Sequence, residues 1–187
     1  EMMYAEPTGA FPHTPEPTAE NLGELCDRVK ASGADLGFAQ DPDADRLAIV
    51  GPGGMYLGEE CTLVAAAARL LKQGDVAVAN LSTSRMIDDV AAKHGAEVVR
   101  TPVGEANVVE RMKQLKDEGR RVVLGGEGNG GVIWPDVVYI RDSLSAMALT
   151  LSLMSRTGET VSAIVERINS FSTGGAGYAI VKRKANI

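Results

Sequence analysis

The sequence predicts an α/β fold of two consecutive three-layer α/β/α domains with mixed sheets, the first of them incomplete. Three observations carry that prediction. Short apolar runs, among them LAIV (47–50), DVAVANL (75–81) and RRVVLGG (120–126), have the length of buried strands. Amphipathic segments of helical period lie between them. Gly- and Pro-rich punctuation separates the two kinds of segment, as a sheet covered by helices on both faces requires.

Taken in order, residues 1–17 contain Pro7, Pro12, Pro15 and Pro17 and read as an extended lead-in. Thr18 is the predicted cap of a helix carrying Leu22, Leu25, Cys26 and Val29, which Gly33 ends. ADLGFAQ (34–40) is a strand, DPDADR (41–46) a tight loop and LAIV a second strand. GPGG (51–54) turns the chain towards MYL, and Glu59 and Glu60 favour the start of a helix through TLVAAAARLL. DVAVANL is the next strand. Ser84 caps a helix with Met86, Ile87, Val90 and Ala91 on one face, and AEVVRT (96–101) is a strand. A helix follows with Val108, Val109, Met112 and Leu115 inward; then come RRVVLGG and a short extended VIWP. Asp142 caps a helix bearing Leu144, Met147, Ala148, Leu151 and Met154, and a last helix near 159–170 buries Val161, Ile164, Val165 and Ile168. The expected division lies in LLKQGD (70–75), giving a partial domain at 1–72 and a second at 73–187.

The composition excludes several classes. With 44% hydrophobic and 24% charged residues the chain is globular rather than disordered. No apolar run approaches the roughly 20 residues of a membrane helix, and no secretory leader is visible. A net charge of −6 argues against a nucleic-acid partner. Cys26 and Cys61 have no paired spacing, which suits a reducing, cytoplasmic setting without disulfide or zinc. Glu1 is not an initiator Met, so the chain is expected to be a piece of something longer.

Two loops carry candidate chemistry. Asp41, Asp43 and Asp45 alternate next to Pro42, which disfavours a helix, so extended backbone turns all three carboxylates to one side. Three converging carboxylates repel one another unless a cation joins them. A hard divalent ion such as Mg²⁺ meets that need and keeps room for water or a phosphate oxygen. Arg46 follows and can hold an anion beside the metal. An EF-hand is rejected, because its sixth and twelfth positions here are Arg46 and Pro52. A phosphatase with an aspartyl nucleophile, which also places D-x-D after a buried strand, stays open, as does a metal-free acidic turn in a non-catalytic binding module. The second loop, GGEGNGG (125–131), matches G-x-G-x-x-G only formally, since VIWP and not a helix follows. It reads as a flexible loop presenting Glu127 and Asn129, a carboxylate and an amide suited to paired hydrogen bonds with sugar hydroxyls.

The remaining candidates have plainer readings. His94 closes a helix, and neither it nor His13 has a Ser or Cys partner for a triad. Ser82, Thr83 and Ser84 precede a helix, as an anion site or a cap would. Met112, Met147 and Met154 fall on core faces, and Trp134 packs near the glycine loop or stacks on a sugar.

DPDADR and GGEGNGG, in that order, resemble the metal loop and sugar-binding loop of the α-D-phosphohexomutase superfamily, which includes phosphoglucomutases, phosphomannomutases and phosphoglucosamine mutases. EPTGAFPHTPEPTAENL (6–22) is similar to the family's approach to its metal loop, and RTPVGEANV (100–108) to its T-x-V-G segment. The resemblance covers nearly the whole chain. It implies most of the second domain and all of the third domain of a four-domain enzyme, with YAIVKRKANI (178–187) beginning the link to the fourth. The phosphoserine loop and the C-terminal phosphate loop, which belong to the first and fourth domains, are absent. By the resemblance, a phosphoserine donates its phosphoryl group to a hexose phosphate, and the hexose 1,6-bisphosphate turns around and returns the other phosphate. Asp41, Asp43 and Asp45 would then ligate Mg²⁺, Arg46 would orient the phosphoryl group, and Glu127, Asn129 and Gly104 would bind the sugar. The chain alone is expected to be inactive. It departs from many relatives at Glu105, where they carry a basic residue, and at Asn129, where they carry Ser. Arg141 and Asp142 either line the cleft or, for Asp142, cap a helix.

Overall fold

The computed structural model describes residues 1–6, 8–172 and 177–178. The proposed link at 178–187 lies outside them except for Tyr178. Among its described residues the lead-in has no helix or strand, as its prolines dictate. Helix α1 (Gly23–Ser32) ends at Gly33, whose φ of 68° is left-handed. Thr18 does not cap it. Its carbonyl instead accepts the amides of Asn21 and Leu22 in a preceding turn, and no side chain caps the helix.

Strands β1 (Gly37–Gln40), β2 (Leu47–Gly51) and β3 (Met55–Tyr56) form an antiparallel sheet in that order, with a 3-10 turn at Pro52–Gly54 before β3. Helix α2 (Glu60–Leu70) leads into β4 (Val76–Asn80), α3 (Met86–Lys93), β5 (Glu97–Thr101), α4 (Glu105–Asp117), β6 (Val122–Glu127), β7 (Gly131–Ile133), α5 (Ser143–Thr157) and α6 (Val161–Asn169). The second sheet is mixed, in the order β5-β4-β6-β7. β4 is parallel to β5 and β6, and β7 is antiparallel to β6.

Alternation along β4 shows how the layers form. Val76 and Val78 face a cluster with Val108, Met112 and Leu115 of α4. Ala77 and Ala79 face the larger cluster with α2, α3, α5 and α6. Their small side chains admit the alanine-rich face of α2, where Ala65, Ala66 and Ala67 are buried. The expected division near residue 72 groups α2 with the first sheet. The helix packs instead on the second, and also reaches back to β2, where Thr62 Oγ1 donates to the Leu47 carbonyl at 2.6 Å.

The buried face of α5 also differs from the expectation. Ala146, Leu149, Thr150 and Leu153 face inward, while Leu144 and Leu151 are exposed and Met147 and Met154 are half-buried. Both stripes have helical period, so spacing alone does not choose between them. Asp142 caps the first turn by accepting the amides of Leu144 and Ser145, and packing on the sheet selects the face. The inward residues of α3 and α6 are as expected, as are Val108, Met112 and Leu115 of α4.

Candidate active site

The acidic loop runs between β1 and β2. Asp41 is buried and organises it: Oδ1 accepts the amides of Asp45 (3.1 Å) and Arg46 (3.0 Å), and Oδ2 accepts Arg46 Nε at 2.5 Å. Ala44 takes a left-handed φ of 57°, unusual for a residue with a Cβ, and its carbonyl accepts the Ser143 amide at the start of α5. The loop is thereby tied to a helix of the second sheet. Carboxylate oxygens of Asp41, Asp43 and Asp45 all lie within 4.8 Å of one another.

Charge is crowded here. Burial pushes the Asp45 carboxyl up to about 6; Arg141 opposes that rise, and Asp41 and Asp43 add to it. Burial also pushes Asp41 upward, but its hydrogen bonds to Arg46 outweigh this and hold it below the ordinary carboxylate range. Three oxygens gathered this closely, with Asp43 exposed and making no hydrogen bond among the described residues, fit a hard cation with oxygen ligands.

The glycine segment is not a flexible loop. Gly125, Gly126 and Glu127 end β6, Gly131 opens β7, and the two strands form a tight hairpin. A Cβ on Gly125 would lie 2.2 Å from Met112 Sδ, so α4 packs directly on its backbone. At the tip, Gly130 has φ 93° and its carbonyl accepts the Leu47 amide at 3.1 Å. Arg46 forms an isolated antiparallel bridge with Gly131. The exit of the acidic loop therefore continues onto the hairpin, and the two sequence motifs meet.

Glu127 is buried at the carboxyl end of β6. Its Oε1 accepts Asn80 Nδ2 (2.5 Å) and the Gly104 amide (3.3 Å), and its Oε2 accepts Arg141 Nη1 (2.5 Å). Asn80 closes β4 and Gly104 follows the carboxyl end of β5, the edge where ligands bind in open α/β sheets. Asn129 is half-buried, and its Oδ1 accepts the Gly131 amide at 3.2 Å. Sequence reasoning missed Asn80; its signal was a polar residue closing an apolar strand. It left Arg141 open, and the structure puts that residue between the motifs: Arg141 bonds Asp45 as well as Glu127 and pairs with Glu105 at 3.3 Å. Ser84, expected as a cap, accepts the Met86 amide at 3.3 Å, and its own amide is held by the buried Glu60 carboxylate.

Comparison with known proteins follows the same residues. Two family models match: phosphoglucomutase/phosphomannomutase alpha/beta/alpha domain II over residues 2–54 and domain III over residues 58–171. A phosphoglucomutase/phosphomannomutase of Thermococcus kodakarensis is 36% identical over 90% of this chain and 37% of its own length. A protein of Methanopyrus kandleri named probable phosphoglucosamine mutase is 40% identical over 90% of this chain and 37% of its own length. Among solved structures, a phosphoglucomutase/phosphomannomutase family protein of Burkholderia thailandensis superposes with a TM-score of 0.69 at 25% identity, covering 86% of this chain and 34% of that one. The chain thus spans little more than a third of the length of the relatives it matches, and it belongs to the phosphoglucomutase/phosphomannomutase family.

Proposed function

We propose that this chain supplies the metal loop and the sugar-binding hairpin of a phosphohexomutase, which moves a phosphoryl group between the 1- and 6-positions of a hexose phosphate through an enzyme phosphoserine and a hexose 1,6-bisphosphate. The observation that carries the reading is the meeting of the two motifs at one sheet end, through the Leu47–Gly130 hydrogen bond and Arg141. Asp41, Asp43 and Asp45 would hold Mg²⁺, which when bound supplies charge stabilisation to the transferring phosphoryl group. Arg46 spends only its Nε on Asp41, and its terminal nitrogens, which make no hydrogen bond among the described residues, are free to orient a phosphoryl oxygen. Glu127 accepts three donors where a carboxylate offers about four sites, so it keeps capacity for a sugar hydroxyl. Asn129 commits its oxygen to Gly131 and leaves its amide group to donate; Gly104 presents backbone beside them. The phosphoserine and the far phosphate site would come from first and fourth domains outside this chain, in the cytoplasm.

Two experiments test the reading. In the full-length enzyme, Asp43→Asn should lower turnover by about 100-fold or more while leaving the fold intact, the scale of losing a charge-stabilising group at a reacting centre. Near-normal turnover defeats the metal assignment. Separately, this chain with Mg²⁺ and glucose, mannose or glucosamine phosphates should release no inorganic phosphate. Release would favour the aspartyl-phosphate hydrolase, a reading that asks for a free carboxylate where Asp41 is instead held by two amides and Arg46.

A further inference from the structure

We propose that Arg141 is a positioning residue that makes the acidic loop and the glycine hairpin respond as one unit. The proposal rests on the metal reading above. The Arg141 side chain is only 17% exposed and sits among carboxylates from three separate segments. Nη2 donates to Asp45 Oδ2 in the acidic loop, and Nη1 donates to Glu127 Oε2 at the end of β6. Its backbone amide donates to Glu105 Oε1 at 2.8 Å, at the first residue of α4. Its stem crosses Gly131, where a Cβ would lie 2.3 Å from Arg141 Cδ. Its Nε lies 3.3 Å from Glu105 Oε2 yet makes no hydrogen bond, so the fork is oriented by Asp45 and Glu127 rather than by Glu105.

The consequence is a continuous path. Asp45 is a candidate metal ligand. Arg141 binds its second oxygen with one arm of a rigid planar fork and Glu127 with the other. Glu127 in turn holds the Gly104 amide and Asn80. A displacement of Asp45 on binding a cation would be passed by the guanidinium to Glu127, because Arg141 holds both carboxylates. Lysine keeps the charge but carries a point ammonium on a flexible stem, so it cannot span both carboxylates in the same fixed geometry.

The test is Mg²⁺ titration of this chain followed by amide and guanidinium NMR. In the wild type, Mg²⁺ should shift the amides of Asp41 and of residues 43–46, and also that of Gly104. In Arg141→Lys the Gly104 response should disappear and Mg²⁺ affinity should fall by about tenfold, the scale of losing a group that orients a metal ligand. Because the charge is retained, that loss reports geometry rather than Coulomb repulsion. Retention of either the Gly104 shift or the wild-type affinity in the variant overturns the proposal. Should Arg141→Lys unfold, the wild type still decides: acidic-loop shifts without movement of Gly104 or of the Arg141 Nε–H overturn it. If Mg²⁺ leaves residues 41–46 unshifted, the metal reading itself fails and the coupling falls with it.

Discussion

At Asp45, burial and two neighbouring carboxylates set the protonation behaviour. Its carboxyl is raised to about 6, so the folded protein holds this proton more tightly than an unfolded chain does. The sign follows: the group favours the fold at low pH, and that contribution is lost as pH rises from the ordinary aspartate value through about 6. A metal needs the carboxylate, so Mg²⁺ affinity moves the other way. Titrations at pH 5, 6 and 7.5 should show affinity weakening as pH falls below about 6. A flat profile across that range would show either that Asp45 is no ligand or that its carboxyl is not raised. Glu127 offers a second residue-scale test. In the full-length enzyme, Glu127→Ala should weaken use of hexose phosphate while Mg²⁺ still binds, read by substrate kinetics beside metal titration. Unchanged kinetics would remove its sugar role.

Among the elements, α5 illustrates what a cap does. Asp142 has extended backbone and accepts the Leu144 and Ser145 amides, satisfying donors that the first turn cannot pair. That was legible from a lone Asp before an apolar stretch. The direction of the helix was not, because two stripes of similar spacing compete and the choice depends on what the sheet presents. Asp142→Ala should cost about 1 kcal/mol by chemical denaturation, with the fold retained. A change below a few tenths would show that the cap is dispensable. The glycine hairpin teaches the converse. Its glycines suggested mobility, yet Gly125 lies where Met112 of α4 touches the backbone. A sequence cannot distinguish a glycine kept for freedom from one kept for closeness.

For the whole molecule, one hydrophobic cluster joins Leu47 and Ile49 of the first sheet to Leu63 of α2 and to Ala77 and Ala79 of the second. The fully buried Leu63 sits in that cluster. Leu63→Ala should therefore destabilise the protein by about 2–5 kcal/mol in a single transition seen alike by probes on β2 and on β4. Two separated transitions would show that the sheets unfold independently.

Most strands and helices and the acidic triad were readable from the chain itself, because apolar period and loop spacing are local properties of sequence, and the family was read from the resemblance of DPDADR and GGEGNGG to its loops; the short β3 was not. Packing decided the rest. The placement of α2 on the second sheet, the inward face of α5 and the bridging of Asp45 and Glu127 by Arg141 join residues far apart in the chain, 96 positions in the Arg141–Asp45 bond. No local pattern encodes such a contact; only the folded layers bring those atoms within reach of each other.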